Sequence, residues 1–171
     1  MQSHSLVSSP FLKNISFLIT DCPQINKLLD YSNLLIQYNV NTLIRISEPI
    51  YDTTLLSNNN IIVFESYFED GSTPSKLLLS NYFQLLDNIS KNNNSNQICI
   101  AIHCVSGIGR APLLVCCALI RAGMDRLDSV EFIRKHRRGA INRKQLDWLT
   151  DSKNGFKLQK NSLFSSFFKK K

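Results

Sequence analysis

Residues 97–120 constrain the fold more than any other stretch of the chain. They begin with an apolar run that has the β-branched content of a buried strand, residues 97–102, and they end with an apolar run typical of a buried helix, residues 111–120. Between the two runs lies the loop 103–110, which contains two glycines. A buried strand that passes through a tight loop into a buried helix indicates an α/β domain.

The loop 103–110 has the composition of an anion-binding site. It precedes a helix N-terminus, where backbone N–H groups lack intrahelical partners. Glycines let the backbone wrap closely around an anion, and Arg110 can grip two phosphate oxygens. These positive groups favour a thiolate on Cys104, which we expect to be a nucleophile. The predicted phosphate-binding residues are Val105, Ser106, Gly107, Ile108, Gly109 and Arg110. The alternative is a tight strand-to-helix turn with a buried structural cysteine.

A thiolate in a phosphate site can attack phosphorus in line, and water later hydrolyses the resulting cysteinyl phosphate. The departing oxygen needs a general acid. Asp70 is the candidate, because its acidic loop follows a predicted strand and can reach over the phosphate site. Glu69 is the neighbouring choice, and the alternative is a structural acidic turn at a helix N-terminus.

The length of 171 residues fits a single domain. We predict an N-terminal segment at residues 1–14, a phosphatase-type domain at 15–155 and a basic and aromatic tail at 156–171. No apolar run is long enough to span a membrane, and the first residues do not resemble a secretory signal. We therefore expect a cytoplasmic protein.

The cysteine spacing and the net charge restrict which metals, cofactors and partners the chain is expected to bind. The five cysteines show neither metal-ligand spacing nor a disulfide framework, so we predict no metal and no cofactor. Cys22, Cys99, Cys116 and Cys117 are interpreted as core residues. The formal net charge of +7 favours phosphorylated partners, but no nucleic-acid-binding motif is present. The basic run 134–138 is compatible with a solvated helix end, where positive charge is favourable against the helix dipole.

Strands alternate with helices until the loop 103–110, and helices follow it. Strands are predicted at 15–20, 40–46, 61–64 and 97–102. The predicted buried helix stripes are Ile25, Leu28, Leu29, Leu35 and Ile36; Leu78, Leu79, Tyr82, Leu85, Leu86 and Ile89; residues 111–120; Leu127, Val130, Phe132 and Ile133; and Leu146 and Leu149. This order predicts a mostly parallel central sheet flanked by helices, with the phosphate loop at the carboxyl end of a strand.

Three helix starts carry capping signals. Thr73 is predicted to cap a helix that begins with Pro74, and Asp125 to cap the helix after Gly123. Asn142 and Gln145 have the spacing of a reciprocal capping box.

Several segments together resemble the cysteine-dependent protein tyrosine phosphatases, and within them the dual-specificity branch called phosphatases of regenerating liver, or type IVA. The matching segments are residues 17–20, 45–52, 68–71, 103–112, 132–134 and 137–146, so the resemblance spans roughly residues 15–150. By position, it implies that Cys104 is the nucleophile, Arg110 the phosphate-binding arginine and Asp70 the general acid. It also implies that His103 helps to orient the loop and to favour the thiolate. For the basic run around Arg137 and Arg138, it favours a substrate- or phosphate-facing role.

Ala111 follows the phosphate-binding arginine, where most tyrosine phosphatases carry Ser or Thr and the regenerating-liver type carries Ala. A hydroxyl there assists departure of the thiolate. Without it, we expect a long-lived phosphocysteine and slow turnover after an initial burst.

The chain departs from the family pattern at three places. Ser47 replaces a second cysteine that can form a disulfide with the nucleophile, and Ser66 and Tyr67 replace the Trp-Pro pair before the acid loop. The C-terminus lacks the family's prenylated cysteine. Three phenylalanines and three lysines near the end are compatible either with peripheral binding to an anionic membrane or with a solvated terminus.

The leading prediction is a slow protein tyrosine phosphatase, with dual specificity open, acting on a phosphoprotein substrate. A second hypothesis is a phosphorylation-gated binding module, since the resemblance implies cyclin M-type magnesium transporters as partners. A third, a phosphoinositide phosphatase, is less favoured, because Val105, Ser106 and Ile108 place no lysine in the loop.

Overall fold

Five strands form one sheet in the computed structural model, which describes residues 3–92 and 97–151. The strands are β1 (His4–Ser8), β2 (Ile15–Thr20), β3 (Val40–Arg45), β4 (Ile62–Glu65) and β5 (Ile98–His103), in the spatial order β1-β2-β5-β3-β4. The β2–β5, β5–β3 and β3–β4 pairs are parallel, and β1 is an antiparallel edge strand on β2. The predicted mostly parallel α/β sheet is confirmed.

In the part of the chain that the structure describes, six α-helices cover the two faces of this sheet. They are α1 (Leu28–Gln37), α2 (Thr54–Asn58), α3 (Lys76–Asn92), α4 (Arg110–Arg121), α5 (Arg126–His136) and α6 (Arg143–Thr150). Residues of α1 and α2 pack in one apolar cluster, and residues of α3 to α6 pack in the other. Within the described residues, no helix has the length and apolar content needed to cross a bilayer.

The central strand β5 is buried on both faces, as a strand with parallel neighbours on each side should be. Ile98, Ile100 and Ile102 belong to the cluster under α4, while Cys99 and Ala101 face α1. Helix α4 is buried from Arg110 to Ile120. Burying each large aliphatic side chain contributes about 1.5–3 kcal/mol, so β5 and α4 anchor the two ends of the loop in the core.

The strand β1 was not predicted. It lies within the predicted N-terminal segment 1–14, yet it pairs with β2 along its whole length and places Val7 in the core. A short edge strand needs only one buried face, so its sequence HSLVS carries a weak apolar signal. The sheet therefore begins before residue 15.

The predicted apolar stripe of α1 was wrong in part. Ile25, Leu29 and Ile36 are 69%, 61% and 46% exposed, whereas Tyr31 and Leu35 are fully buried. The hydroxyl of Tyr31 makes a buried hydrogen bond of 3.0 Å with Thr20 Oγ1, and this bond lets the ring take the inward position. The same error applies to Leu127 of α5, which is 58% exposed.

The capping predictions had mixed outcomes. Asp125 caps α5, and Asn142 and Gln145 form the complete capping box of α6, as predicted. Helix α3 begins later than predicted, because Ser75 Oγ rather than Thr73 accepts from the backbone N–H three residues on, at Leu78. The tail 156–171 lies outside the described residues, and its membrane-binding hypothesis stays a prediction.

Candidate active site

The loops that follow β2, β3, β4 and β5 meet at the carboxyl edge of the sheet. Backbone hydrogen bonds continue beyond the strands and join these loops: Ile46 N to His103 O (2.9 Å), Ser66 N to Arg45 O (2.9 Å) and Cys22 N to Val105 O (2.8 Å). The edge is the usual location of ligand sites in open α/β sheets. It brings the predicted nucleophile loop and the predicted acid loop together.

Cys104 lies at the base of the loop between β5 and α4 and is 1% exposed. The N-cap of α4 is Gly109, whose lack of a side chain leaves the first backbone N–H groups of the helix without a side-chain cap. Val105 and Ile108 lie on the rim of the loop, 59% and 41% exposed. The arrangement can bind an anion directly above the thiol.

Gly107 is required by the geometry of this loop. Its φ is +66°, and a Cβ atom there would collide with the carbonyl oxygen of Thr20 and with the guanidinium of Arg137. Only glycine accommodates both the positive φ and the close approach.

Arg137 supports the loop from behind. Its side chain is buried and donates from Nε to Gly107 O (3.0 Å), from Nη2 to Ser106 O (3.1 Å) and from Nη1 to Ser3 Oγ (2.9 Å). The interpretation of the basic run 134–138 as a solvated helix end is wrong at Arg137, which is buried, while a substrate- or phosphate-facing role stays a prediction. Arg137 holds the carbonyls of Ser106 and Gly107 in place.

His103 connects the phosphate loop to the strand edge. Its Nδ1 lies 3.0 Å from Cys104 O, an acceptor only, so Nδ1 carries the proton and Nε2 accepts from the Tyr51 hydroxyl at 2.6 Å. Burial lowers the pKa of His103 to about 4 and raises that of Tyr51, which keeps both groups neutral at pH 7. His103 therefore contacts the loop as a neutral donor, and its expected contribution to the thiolate stays a prediction.

Tyr51 is fixed in turn by Arg45, which the sequence did not single out. The Arg45 guanidinium lies 4.5 Å from the centroid of the Tyr51 ring and donates from Nη1 to Tyr51 O at 2.9 Å. Its Nε donates to the Glu65 carboxylate at 3.0 Å. Arg45 pairs in register with both His103 and Glu65, so three neighbouring strand ends form one support under Cys104.

Arg110 contacts the acid loop from the first turn of α4. Its side chain is 3% exposed, and Nη1 donates to Phe68 O (3.0 Å) and, more weakly, to Ile46 O (3.4 Å). Its Nε lies 3.0 Å from Asp70 Oδ1, a charge pair that is not aligned as a hydrogen bond. A phosphate in the loop would compete with this carboxylate for the guanidinium.

Asp70 reaches the site, whereas Glu69 does not line it. The Asp70 side chain is 77% exposed and lines a cavity of about 250 Å³ at the mouth of the loop. The cavity is lined by Cys22, Ser47, Glu48, Ile50, Tyr67, Asp70, Val105 and Arg110. This placement favours the interpretation of Asp70 as the acid.

The cysteines other than Cys104 differ in environment. Cys99, Cys116 and Cys117 are buried as predicted, and burial raises the pKa of Cys116 to about 12. The core interpretation of Cys22 is confirmed only in part, since it packs against the cluster under α1 but is half-buried. It also lines the cavity, with its sulfur 3.9 Å from Ser47 Oγ. Among the described residues, no three His, Cys, Asp or Glu side chains are grouped as metal ligands.

Comparison with known proteins places this geometry among phosphatases. Residues 21–124 match a family model described as "Tc-R-P: Polymorphic toxin system, DSP-PTPase phosphatase". The chain is 41% identical to the PRL-1 phosphatase of Drosophila melanogaster over 152 residues, which cover 87% of the chain and 85% of the fly protein. It is 42% identical to a type IVA protein tyrosine phosphatase of Dictyostelium discoideum over 137 residues, 80% of the chain and 81% of that protein.

A solved structure agrees with these relatives. A protein tyrosine phosphatase from Leishmania major superposes with a TM-score of 0.78 at 33% identity, covering 87% of this chain and 98% of that one. The predicted transporter partner, the membrane contact and the cytoplasmic location are not addressed by these relatives' names, and stay predictions.

Proposed function

The chain belongs to the protein tyrosine phosphatase type IVA family, and on this premise we propose that it hydrolyses phosphotyrosine in proteins through a phosphocysteine on Cys104. The observation that carries the proposal is the buried thiol of Cys104 below the N-terminus of α4, with Arg110 in the first helical turn and Asp70 3.0 Å from that arginine. A nucleophile, an anion site and a proton donor thus lie together at the carboxyl edge of the sheet.

In the first step, the thiolate of Cys104 attacks phosphorus opposite the tyrosyl oxygen. An S–P bond forms, the P–O bond to the tyrosyl group breaks, and the tyrosyl oxygen takes a proton from Asp70. The loop N–H groups and Arg110 stabilise the charge on the three remaining phosphate oxygens. The incoming phosphate displaces the Asp70 carboxylate from Arg110. Asp70 is then free to carry the proton.

In the second step, water attacks phosphorus and transfers a proton to Asp70, while the S–P bond breaks and the thiolate of Cys104 leaves. Inorganic phosphate is the product. Ala111 is fully buried beside Arg110 and has no hydroxyl to donate to the departing sulfur. Breakdown of the phosphocysteine is therefore the slow step.

The cavity favours a singly phosphorylated aromatic side chain. Ile50, Tyr67 and Val105 supply apolar surface at its mouth and are each more than half exposed. Glu48 and Asp70 are its acidic residues, and they would repel the additional phosphates of an inositol phospholipid headgroup. The apolar surface therefore favours the aromatic ring of phosphotyrosine, and the acidic residues disfavour a substrate with several phosphates.

The experiment is phosphate release from a phosphotyrosine peptide and from vesicles that contain a phosphatidylinositol phosphate. We expect release from the peptide to be at least tenfold faster, and to be abolished by Cys104→Ser. Faster release from the vesicles would contradict the substrate proposal. Unchanged peptide hydrolysis by Cys104→Ser would contradict the mechanism.

A further inference from the structure

The acid loop is attached to the N-terminus of α6 by two side-chain amides. Asn142 Nδ2 donates to the carbonyl oxygen of Gly71 at 3.1 Å, and Gln145 Nε2 donates to that of Ser72 at 3.0 Å. These carbonyls belong to the two residues immediately after Asp70. The backbone that carries the acid is thus anchored next to it.

The same two amides also cap α6. Asn142 Oδ1 accepts from Gln145 N at 2.8 Å, and Gln145 Oε1 accepts from Asn142 N at 3.2 Å. Only the oxygens take part in capping, and Ser with Glu would supply equivalent oxygens. The amide nitrogens are therefore not needed by the helix, and both are directed to the acid loop.

Gln145 lies between the acid loop and the phosphate loop. It is fully buried, and a Cβ atom on Gly109 would lie 3.6 Å from its Nε2. Just before α6, Ile141 N donates to Ile108 O at 3.0 Å, so the start of this helix is also fixed to the phosphate loop. The position of the α6 N-terminus therefore defines the distance between the acid loop and the phosphate loop.

The acid loop is itself a tight turn that transmits this anchoring to Asp70. Ser72 donates to Glu69 O from its backbone N (3.2 Å) and from its hydroxyl (2.6 Å), and Gly71 has a φ of +67°. Asp70 lies within this turn. A shift of the Gly71 or Ser72 carbonyl would therefore move the carboxylate.

We propose that Asn142 and Gln145 are positioning residues that hold the acid loop over the phosphate loop and keep Asp70 next to the leaving group. This inference depends on the proposed function, in which Asp70 protonates the tyrosyl oxygen. Asn142 and Gln145 each donate a hydrogen bond to the acid loop. They act through the backbone of residues 71 and 72.

The test uses Asn142→Ser, which keeps a capping oxygen but removes the donor to Gly71 O. The rate of phosphocysteine formation is measured in the burst phase with two substrates: phosphotyrosine, whose leaving oxygen needs a proton, and an aryl phosphate with a strongly acidic phenol, which does not. We expect Asn142→Ser to slow the phosphotyrosine burst about tenfold, part of the total that general acids contribute. The burst with the activated substrate should change less than twofold.

Gln145→Glu provides a second variant, because it keeps the capping oxygen and replaces the donor to Ser72 O by an acceptor. It should show the same selective loss. Arg143→Ala is the matched control on α6, since Arg143 is 85% exposed and pairs with Asp147 on its own helix. It should leave both bursts unchanged.

Asp70→Asn separates this inference from the proposed function. If Asp70→Asn slows phosphotyrosine selectively but Asn142→Ser and Gln145→Glu slow both substrates equally or neither, the positioning inference is wrong. If Asp70→Asn itself shows no selectivity between the substrates, the acid assignment in the proposed function is wrong.

Discussion

Ala111 is the residue at which the chemistry of the second step is decided. It is fully buried in the first turn of α4, directly after Arg110. A hydroxyl in this position can donate to the developing thiolate, and hydrogen bonds to charged groups contribute about 1.5–3 kcal/mol. The methyl group of Ala111 cannot donate this hydrogen bond, so the departing thiolate lacks that stabilisation.

We predict that Ala111→Ser raises the steady-state rate at least tenfold and leaves the rate of phosphocysteine formation unchanged. Stopped-flow kinetics with an aryl phosphate at excess substrate measures both quantities. Rapid multiple turnover by the wild type, without acceleration in Ala111→Ser, would contradict the role assigned to this residue.

His103 makes stability depend on pH. Its pKa is about 4 in the folded protein because of burial, against 6.5 for an ordinary histidine, so below pH 6.5 the unfolded chain binds a proton that the folded chain does not. The stability contribution is fully present above pH 6.5 and is lost as the pH falls towards 4. The loss amounts to about 3 kcal/mol.

Urea unfolding between pH 7 and pH 4.5 tests this linkage. We expect His103→Gln to be less stable than the wild type at pH 7, because it disrupts the contact with Tyr51, but to lose less stability on acidification. Equal losses in the two proteins would show that His103 does not titrate as its burial requires.

At the residue scale, local chemistry predicted Cys104, Arg110 and Asp70 as catalytic residues, and the structure places Asp70 3.0 Å from Arg110, at the end of the loop that carries Cys104. The supporting residues Arg45, Tyr51 and Glu65 could not be found in this way. Their contacts with His103 and with one another depend on the register of three parallel strands, and on a separation of 52 residues between Tyr51 and His103. The available signal in the sequence was a charged residue, Arg45, inside the apolar strand predicted at 40–46.

At the element scale, the phosphate loop depends on α5 as much as on α4. Arg137, at the C-terminal end of α5, donates to two loop carbonyls and to Ser3 through three different nitrogens. A lysine ammonium is a single point charge without the planar fork of arginine. It cannot reproduce this geometry.

We therefore predict that Arg137→Lys weakens competitive inhibition by inorganic phosphate about tenfold and lowers kcat/KM by a similar factor. The matched control is Arg138→Lys, since Arg138 is exposed and its neighbour supplies the loop contacts. An unchanged inhibition constant in Arg137→Lys would mean that the loop keeps its shape without this support.

The buried face was predicted well for helices with a strong apolar period. It was predicted poorly where apolar residues lie on more than one face of a helix. The stripe of α3 holds, with Leu79, Tyr82 and Leu86 buried. In α1, apolar residues lie on more than one face, and the hydrogen bond of Tyr31 to Thr20 selects which face turns inward. Such a tertiary contact has no signature in helical periodicity.

At the scale of the whole molecule, the strand order determines which loops meet. The predicted class, a mostly parallel sheet with helices on both faces, is correct, but the order β1-β2-β5-β3-β4 follows from pairings between distant residues. It places β5 in the centre, so the loops after β2 and β3 flank the phosphate loop. The antiparallel strand β1 then brings Ser3 to Arg137.

The contribution of β1 to the fold is testable with two neighbouring residues. Val7 is fully buried against the main core, whereas Leu6 is 42% exposed. We predict that Val7→Ala destabilises the protein by about 2 kcal/mol and that Leu6→Ala changes stability by less than about 1 kcal/mol. Similar denaturant midpoints for Val7→Ala and the wild type would contradict the place of β1 in the core.

The central claim is that Cys104 carries the phosphoryl group during turnover, and intact-protein mass spectrometry during reaction with an aryl phosphate tests it most directly. The account predicts a mass increase of one phosphoryl group that persists through the steady state, maps to Cys104 and is lost in Cys104→Ser. Turnover of the substrate without any trapped adduct, and with phosphate release unchanged in Cys104→Ser, would contradict it.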